Sequence, residues 1–154
     1  MKPLVLFGFK GCGKTFFGKK LSEGLKISYL DTDHGLPSYK EVGERRFRES
    51  EREAVLSIDP HFQGVISLGG GAILDASCQE YLVELGTLVY LKASFSRIAS
   101  HLTQLPAFVS SLEELEEIYY KREPLYSAIP ARICNLDTMN NTAVLEMLTE
   151  IYGS

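Results

Sequence analysis

The sequence predicts a three-layer α/β/α fold, with a five-stranded parallel sheet covered by helices on both faces. Two observations carry this expectation. Five short apolar runs, at 3–7, 28–31, 64–68, 87–91 and 131–136, alternate with stretches of helical periodicity. Glycines also gather where two of those runs end, at Gly8, Gly11 and Gly13 and at Gly69, Gly70 and Gly71. Open parallel sheets bind ligands at such strand ends. At 154 residues the chain is expected to form one domain over 1–154. That length suffices to bury about two thirds of the unfolded surface, without a disulfide or metal staple.

The elements follow in order. Pro3 to Phe7 is continuously apolar, the pattern of a strand buried on both faces. A glycine loop follows. The stretch 14–25 then reads as a helix, with Phe17, Leu21 and Leu25 four apart on one side. After the second strand, 38–58 is charge-rich, and Phe47, Ala54, Val55 and Ile58 trace one apolar stripe. It reads as one helix, or as two broken near Gly43. The third strand ends in the glycine triplet. Asp75 is a good N-cap for a helix over 75–85. The fourth strand leads to a helix at 94–102 with Ser94 as its cap, then to a loop at 103–110. A helix over 111–122 opens with acids, which suits its dipole. The fifth strand and a closing helix at 141–152 complete the chain.

Composition narrows the function. A net charge of −4 argues against nucleic acid as a partner. Cys12, Cys78 and Cys134 are odd in number and far apart, which fits a reducing cytoplasm rather than a disulfide framework. His34, His61 and His101 lack zinc-ligand spacing. No apolar run reaches the ~18 residues of a membrane span, and the residues before Gly8 are too few for a signal peptide.

Gly8, Gly13, Lys14 and Thr15 fit G-x-x-x-x-G-K-[ST], the P-loop pattern of nucleotide triphosphatases. Glycines let the main chain curl until its N–H groups face inward at the start of a helix, and there they cradle phosphate. The expected nucleotide-binding residues are Gly11, Cys12, Gly13, Lys14, Thr15 and Phe16. Lys14 is expected at the β- and γ-phosphates as a catalytic charge, and the Thr15 hydroxyl at Mg²⁺. Cys12 reads as a small residue that fits the loop. A helix N-terminus lowers thiol pKa values, which leaves a reactive thiol as the alternative. No guanine-reading N-K-x-D segment is present, and the chain is short for a motor. The size and the short element pattern suit a small-molecule kinase.

Such a kinase needs an acid near the acceptor hydroxyl. Asp31 and Asp33 follow the second strand, so one can serve Mg²⁺ through water and the other can take the hydroxyl proton. Arg45, Arg46 and Arg48 lie close together; for Arg45 and Arg46 a solvated helix face with i,i+4 pairs suffices. Gly69, Gly70 and Gly71 read either as a flexible turn or as backbone that approaches a ligand.

In this order, "GFKGCGKT", "LDTD", "GERRFRESE", "VISLGGGA" and "REPLY" make the chain resemble shikimate kinase over nearly its whole length. The resemblance implies ATP-dependent phosphorylation of the shikimate 3-hydroxyl, on the way to chorismate and the aromatic amino acids. It also implies a fold like that of nucleoside monophosphate kinases, with a substrate-binding segment near 32–60 and a lid near 103–112. By resemblance, Asp31 holds Mg²⁺ through water, and Asp33 binds the substrate hydroxyls and acts as base. Arg48 and Arg122 hold the carboxylate, Glu51 orients the neighbouring arginine, and Gly69, Gly70 and Gly71 lie against the substrate. Ser67 offers a hydroxyl towards the metal's waters. The expected partners are ATP and shikimate for a cytoplasmic monomer, with no nucleic acid and no membrane. A gluconate-kinase type enzyme and a degenerate nucleotide-binding module are the competing readings. One departure stands out. The family's lid carries arginine before proline, and here Leu105 precedes Pro106. Either the lid aligns differently, or Lys10 or Arg97 supplies the charge, or catalysis is slower. Arg97 is also a candidate for stacking on adenine, against a solvated role.

Overall fold

The computed structural model describes residues 1–154. Five strands, β1 (Leu4–Phe7), β2 (Ser28–Asp31), β3 (Gly64–Ser67), β4 (Thr87–Lys92) and β5 (Arg132–Asn135), form one parallel sheet in the order β2-β3-β1-β4-β5. The chain moves to one side of β1 for β2 and β3, and to the other side for β4 and β5. The carboxyl end of β1 therefore flanks the reversal in strand order, where open α/β sheets form their ligand crevice.

Position in the sheet explains the strand compositions. All four residues of β1 are fully buried, because β1 is central and covered on both faces. β2 and β5 are edges, and all of their residues except the buried Cys134 remain at least partly exposed. The core is one cluster spanning both faces of the sheet.

Five helices link the strands, α1 (Lys14–Leu25), α2 (Tyr39–Leu56), α3 (Ala76–Leu85), α4 (Phe95–His101) and α5 (Leu112–Ser127), and α6 (Asn141–Gly153) follows the last strand. α1 buries Phe17 and Leu21 from the expected stripe. α2 is kinked at Gly43, whose φ of 84° and ψ of 171° leave helical space. The break expected there is present, and it turns the two arms of α2 to face a common cleft. Gly71 leads through a 3₁₀ turn at Ala72–Leu74 into α3.

α5 departs from expectation, for it continues five residues past Arg122 and through Pro124 to Ser127. Proline costs a helix its N–H and crowds the preceding turn. Tertiary packing outweighs that here. Tyr126 is buried in the last turn, with ring centroids 6.0 Å from Phe7 and 5.4 Å from Tyr90, and its hydroxyl donates to the Gly70 carbonyl. Burial pushes the Tyr126 phenol up to about 12, so it stays a donor at neutral pH.

Asp75 caps α3 as expected, accepting from the N–H groups of Ser77 and Cys78. Its other oxygen accepts from Arg52 Nε at 2.8 Å, which ties α3 to α2. Burial acts against its charge, but the bonds from Ser77, Cys78 and Arg52 hold the carboxyl below the usual range. Asp75→Ala is expected to cost about 1–2 kcal/mol in urea unfolding. A depressed folded pKa stabilises above the ordinary aspartate range and is lost as pH falls through it. The difference between Asp75→Ala and wild type should therefore shrink in acid.

Candidate active site

The loop after β1 has the backbone geometry of an anion cradle. Gly11 and Gly13 have φ of 86° and 114°, values that side chains with a Cβ rarely adopt. Gly13 is the N-cap of α1 with no side-chain cap, and no acid stands in the first turn. The first amides of α1 thus remain free for an anion. Lys14 Nζ donates to the carbonyls of Gly8 at 2.6 Å and Phe9 at 3.2 Å, so the ammonium is held inside the loop's own curve. Cys12 is buried, and burial pushes its thiol up against the lowering effect of Lys14. A reactive thiol is therefore not what the fold provides at Cys12: desolvation outweighs the helix terminus, and the residue packs as a small apolar group.

A cavity of about 240 Å³ opens over this cradle, and Lys14, Thr15, Asp31, Asp33 and Ser67 are among its walls. Asp31 Oδ1 accepts from the Asp33 amide at 2.9 Å, an aspartate turn that places both carboxylates at the same strand end. Ser67 Oγ donates to the Lys14 carbonyl at 3.1 Å, linking β3 to the first turn of α1. Thr32, buried between the two aspartates, accepts from the Gly69 amide at 3.3 Å and so fixes this turn against the glycine run.

A second cavity, of about 290 Å³, lies beside the first and sits at the small end of ligand clefts (roughly 300–1,000 Å³). Arg48 and Arg122 reach it from α2 and α5. Arg48 Nη1 lies 3.0 Å from Glu51 Oε1, so an acid does orient this arginine. Glu51 is almost fully buried. Burial raises its pKa, and the Arg48 charge and hydrogen bond oppose that rise. The Arg122 guanidinium sits 5.6 Å from the Phe108 ring centroid, and Arg48 sits 5.5 Å from that of Phe47. Aromatic faces favour cations at such distances and keep the guanidinium planes ordered. Two oriented guanidinium groups in a small cleft suit a carboxylate.

The glycine triplet is close-packed against these side chains, with no room for a Cβ at Gly69 or Gly71. A Cβ on Gly71 would collide with the Arg48 guanidinium, and one on Gly69 would stand 2.8 Å from Glu51 Oε2. At Gly70 it would stand 3.5 Å from both the Lys10 amide and Arg122 Nη1. Gly70 thus separates the two cavities by the thickness of a main chain. Lys10, Asp33 and Gly70 line both.

Asp33 is the acid at this junction. Solvent reaches its side chain, yet the surrounding protein desolvates the carboxylate and raises its pKa, and Asp31 adds to the rise. Lys14, Lys10 and Arg48 pull the other way. A carboxylate of raised basicity between a phosphate cradle and an anion cleft suits proton removal from a bound alcohol.

A third cavity, of about 320 Å³, flanks the far side of the loop, where Phe16, Arg97, His101 and Asn141 stand. Arg97 therefore belongs to the outer side of the cradle and not to the junction. Arg45 pairs with Glu49 at 3.3 Å on an exposed face, away from either inner cavity. Sequence reasoning missed the aromatic walls. Tyr39, Phe47 and Phe108 come from the two arms of α2 and from the segment between α4 and α5, with Tyr39 and Phe47 centroids 5.5 Å apart. Only the kink at Gly43 brings Tyr39 and Phe47 together, and no spacing rule signals that.

Comparison with known proteins agrees with this geometry. A sequence model described as shikimate kinase matches residues 10–152. Shikimate kinase 2 of Photorhabdus laumondii is 34% identical over 149 residues, covering 86% of this chain and 85% of that protein. The structure of shikimate kinase from Acinetobacter baumannii in complex with shikimate superposes with a TM-score of 0.83 at 25% identity, covering 98% of this chain and 90% of that one. A gluconokinase from Sinorhizobium meliloti shares the fold alone, with a TM-score of 0.67 at 14% identity.

Proposed function

The chain belongs to the shikimate kinase family, and from that premise we propose how its residues phosphorylate shikimate with ATP. The observation that carries the assignment is the pair of abutting cavities, a phosphate cradle and a two-arginine cleft, with Asp33 on the wall they share. ATP enters with its phosphates on the Gly11–Phe16 amides and Lys14. Shikimate enters with its carboxylate on Arg48 and Arg122 and its 3-hydroxyl towards Asp33. The acceptor oxygen then bonds to the γ-phosphorus, and the bond from that phosphorus to the bridging oxygen breaks with its electron pair left on ADP. The hydroxyl proton passes to Asp33. The products are ADP and shikimate 3-phosphate, an intermediate on the route to chorismate. Gly69, Gly70 and Gly71 let the ring approach the main chain closely.

The oxygen donors around the cradle fit Mg²⁺. Thr15 and Asp31 line one cavity, and the protein offers no group of three His, Cys, Asp or Glu side chains that would hold a metal unaided. Mg²⁺ is typically held by one or two protein oxygens together with substrate phosphates. Thr15 would hold it directly and Asp31 through water; when bound, it neutralises charge on the phosphates. Ser67 faces the same cavity.

The 32–60 segment carries Asp33, Tyr39, Phe47, Arg48 and Glu51 to the acid cleft and serves as the substrate-binding segment. Residues 103–112 place Pro106, Ala107 and Phe108 on the same cleft. They act as a lid that excludes water from the transfer. The proposed state is a monomer. Three free cysteines suit a reducing cytoplasm, and no helix is long and apolar enough to cross a membrane.

A coupled assay of ADP release tests the assignment. Turnover should require shikimate as well as ATP, gluconate should not replace it, and phosphorus NMR should detect a phosphomonoester on the 3-oxygen. ATP binding without shikimate-dependent ADP release would overturn the reading.

A further inference from the structure

We propose that Lys10 is a catalytic residue of the transfer, its ammonium meeting the phosphoryl group as that group crosses from the loop cavity to the acid cavity. The inference rests on the kinase reading above and assigns the cation at its centre. Three residues line both cavities, Lys10, Asp33 and Gly70, and Lys10 alone among them is positive. The Lys10 side chain is exposed and makes no hydrogen bond or ion pair, so it is free to follow a ligand.

The other cations are placed elsewhere. Lys14 lines the loop cavity, with its ammonium on the Gly8 and Phe9 carbonyls. Arg48 is paired with Glu51, and Arg122 lies against Phe108; both line only the acid cleft. Arg97 faces the third cavity across the loop. The covering segment, 102–111, contains no lysine or arginine. Lys10 is thus the cation that the fold leaves over the crossing point.

The chemistry gives that position weight. As the bond to the bridging oxygen breaks and the bond to the shikimate oxygen forms, charge spreads over three equatorial phosphoryl oxygens. A cation set at the wall between donor and acceptor meets those oxygens more closely in the transition state than when they rest in the cradle. It should therefore raise kcat rather than tighten ground-state binding. An exposed lysine with no such role would change neither.

Lys10→Gln and Lys10→Arg test this. Lys10→Gln should lower kcat about 10²-fold, with KM for ATP and for shikimate within about threefold of wild type. Lys10→Arg should recover at least about tenfold of that loss, since a cation returns to the same place. Affinity for MgADP with aluminium fluoride and shikimate, which imitates the crossing phosphoryl, should fall in parallel with kcat, while affinity for MgADP alone stays constant. The melting midpoint of either variant should match wild type, because the side chain is exposed and holds no hydrogen bond or ion pair. A kcat within about threefold of wild type in Lys10→Gln overturns the proposal. So does a loss confined to KM for ATP, or a loss that Lys10→Arg shares in full while melting normally. Wild-type protein lacking shikimate-dependent turnover is a different result, and it removes the kinase reading itself.

Discussion

Asp33→Asn should lower kcat by roughly 10³-fold, within the 10²–10⁴ range for a general base, and leave ATP affinity within about threefold. The amide keeps the shape of the carboxylate and its place beside the acceptor hydroxyl but cannot take the proton. Steady-state kinetics with a nucleotide titration separate the two terms. Wild-type kcat/KM should fall on the acid side at a pH above the ordinary aspartate range, since desolvation and Asp31 raise the Asp33 pKa. The base works only when deprotonated, so activity is lost as pH falls through that raised value and returns above it. Stability runs the opposite way. A carboxyl whose folded pKa is raised costs stability as pH climbs from its unfolded pKa through its folded one. Asp33→Asn removes that cost, so its melting midpoint at neutral pH should equal or exceed that of wild type. An inactive variant that melts above wild type would show that the Asp33 charge costs the fold stability. An Asp33→Asn enzyme with near-normal kcat would leave the transfer without a base at the junction.

Arg122→Ala and Arg48→Ala should each raise the shikimate KM about 10–100-fold, the scale of one charge-assisted hydrogen-bonded contact of about 1.5–3 kcal/mol. Their stabilities should differ. Arg122 rests on an aromatic ring at a cleft wall, so its removal should leave the fold nearly as stable as before. Arg48 is the ion partner of the almost fully buried Glu51. Without it, burial acts unopposed by the nearest positive charge, and Glu51 takes up a proton more readily. Arg48→Ala should therefore melt earlier, and the double variant Arg48→Ala/Glu51→Gln should recover part of the midpoint without recovering the KM. An unchanged KM in both single variants would mean that the acid cleft is misassigned.

The phosphate cradle was the most legible part of the site, for a reason that is local. Gly8 through Thr15 are contiguous, and a loop built on positive φ at Gly11 and Gly13 has few residue types to choose from. Asp31 and Asp33 were legible for a similar reason, since they close one strand and share one turn. The proposed roles of Arg48 and Arg122 were readable only through motif order, because α2 and α5, far apart along the chain, bring them to one cavity. Nothing local announced that α5 would run through Pro124. The reason lies in Tyr126, whose ring packs against the stacked pair of Phe7 and Tyr90 and whose hydroxyl holds Gly70. The aromatic lining from Tyr39, Phe47 and Phe108 was equally silent, because a kink and a loop assemble it from distant positions.

Periodicity and local conformational demand were enough, before any folding, to determine the layered architecture and the glycine loop, and to single out Asp31 and Asp33 as candidate acids. Those properties depend on neighbours a few residues away along the chain. Distances across the sheet end were decided only in three dimensions. There Gly70 became a wall one main chain thick, Glu51 became the buried partner of an arginine, and Lys10 and Asp33 came to border both cavities. Side chains that meet through packing carry no mark of the meeting in their order, because each helix and loop end is aimed by the core beneath it.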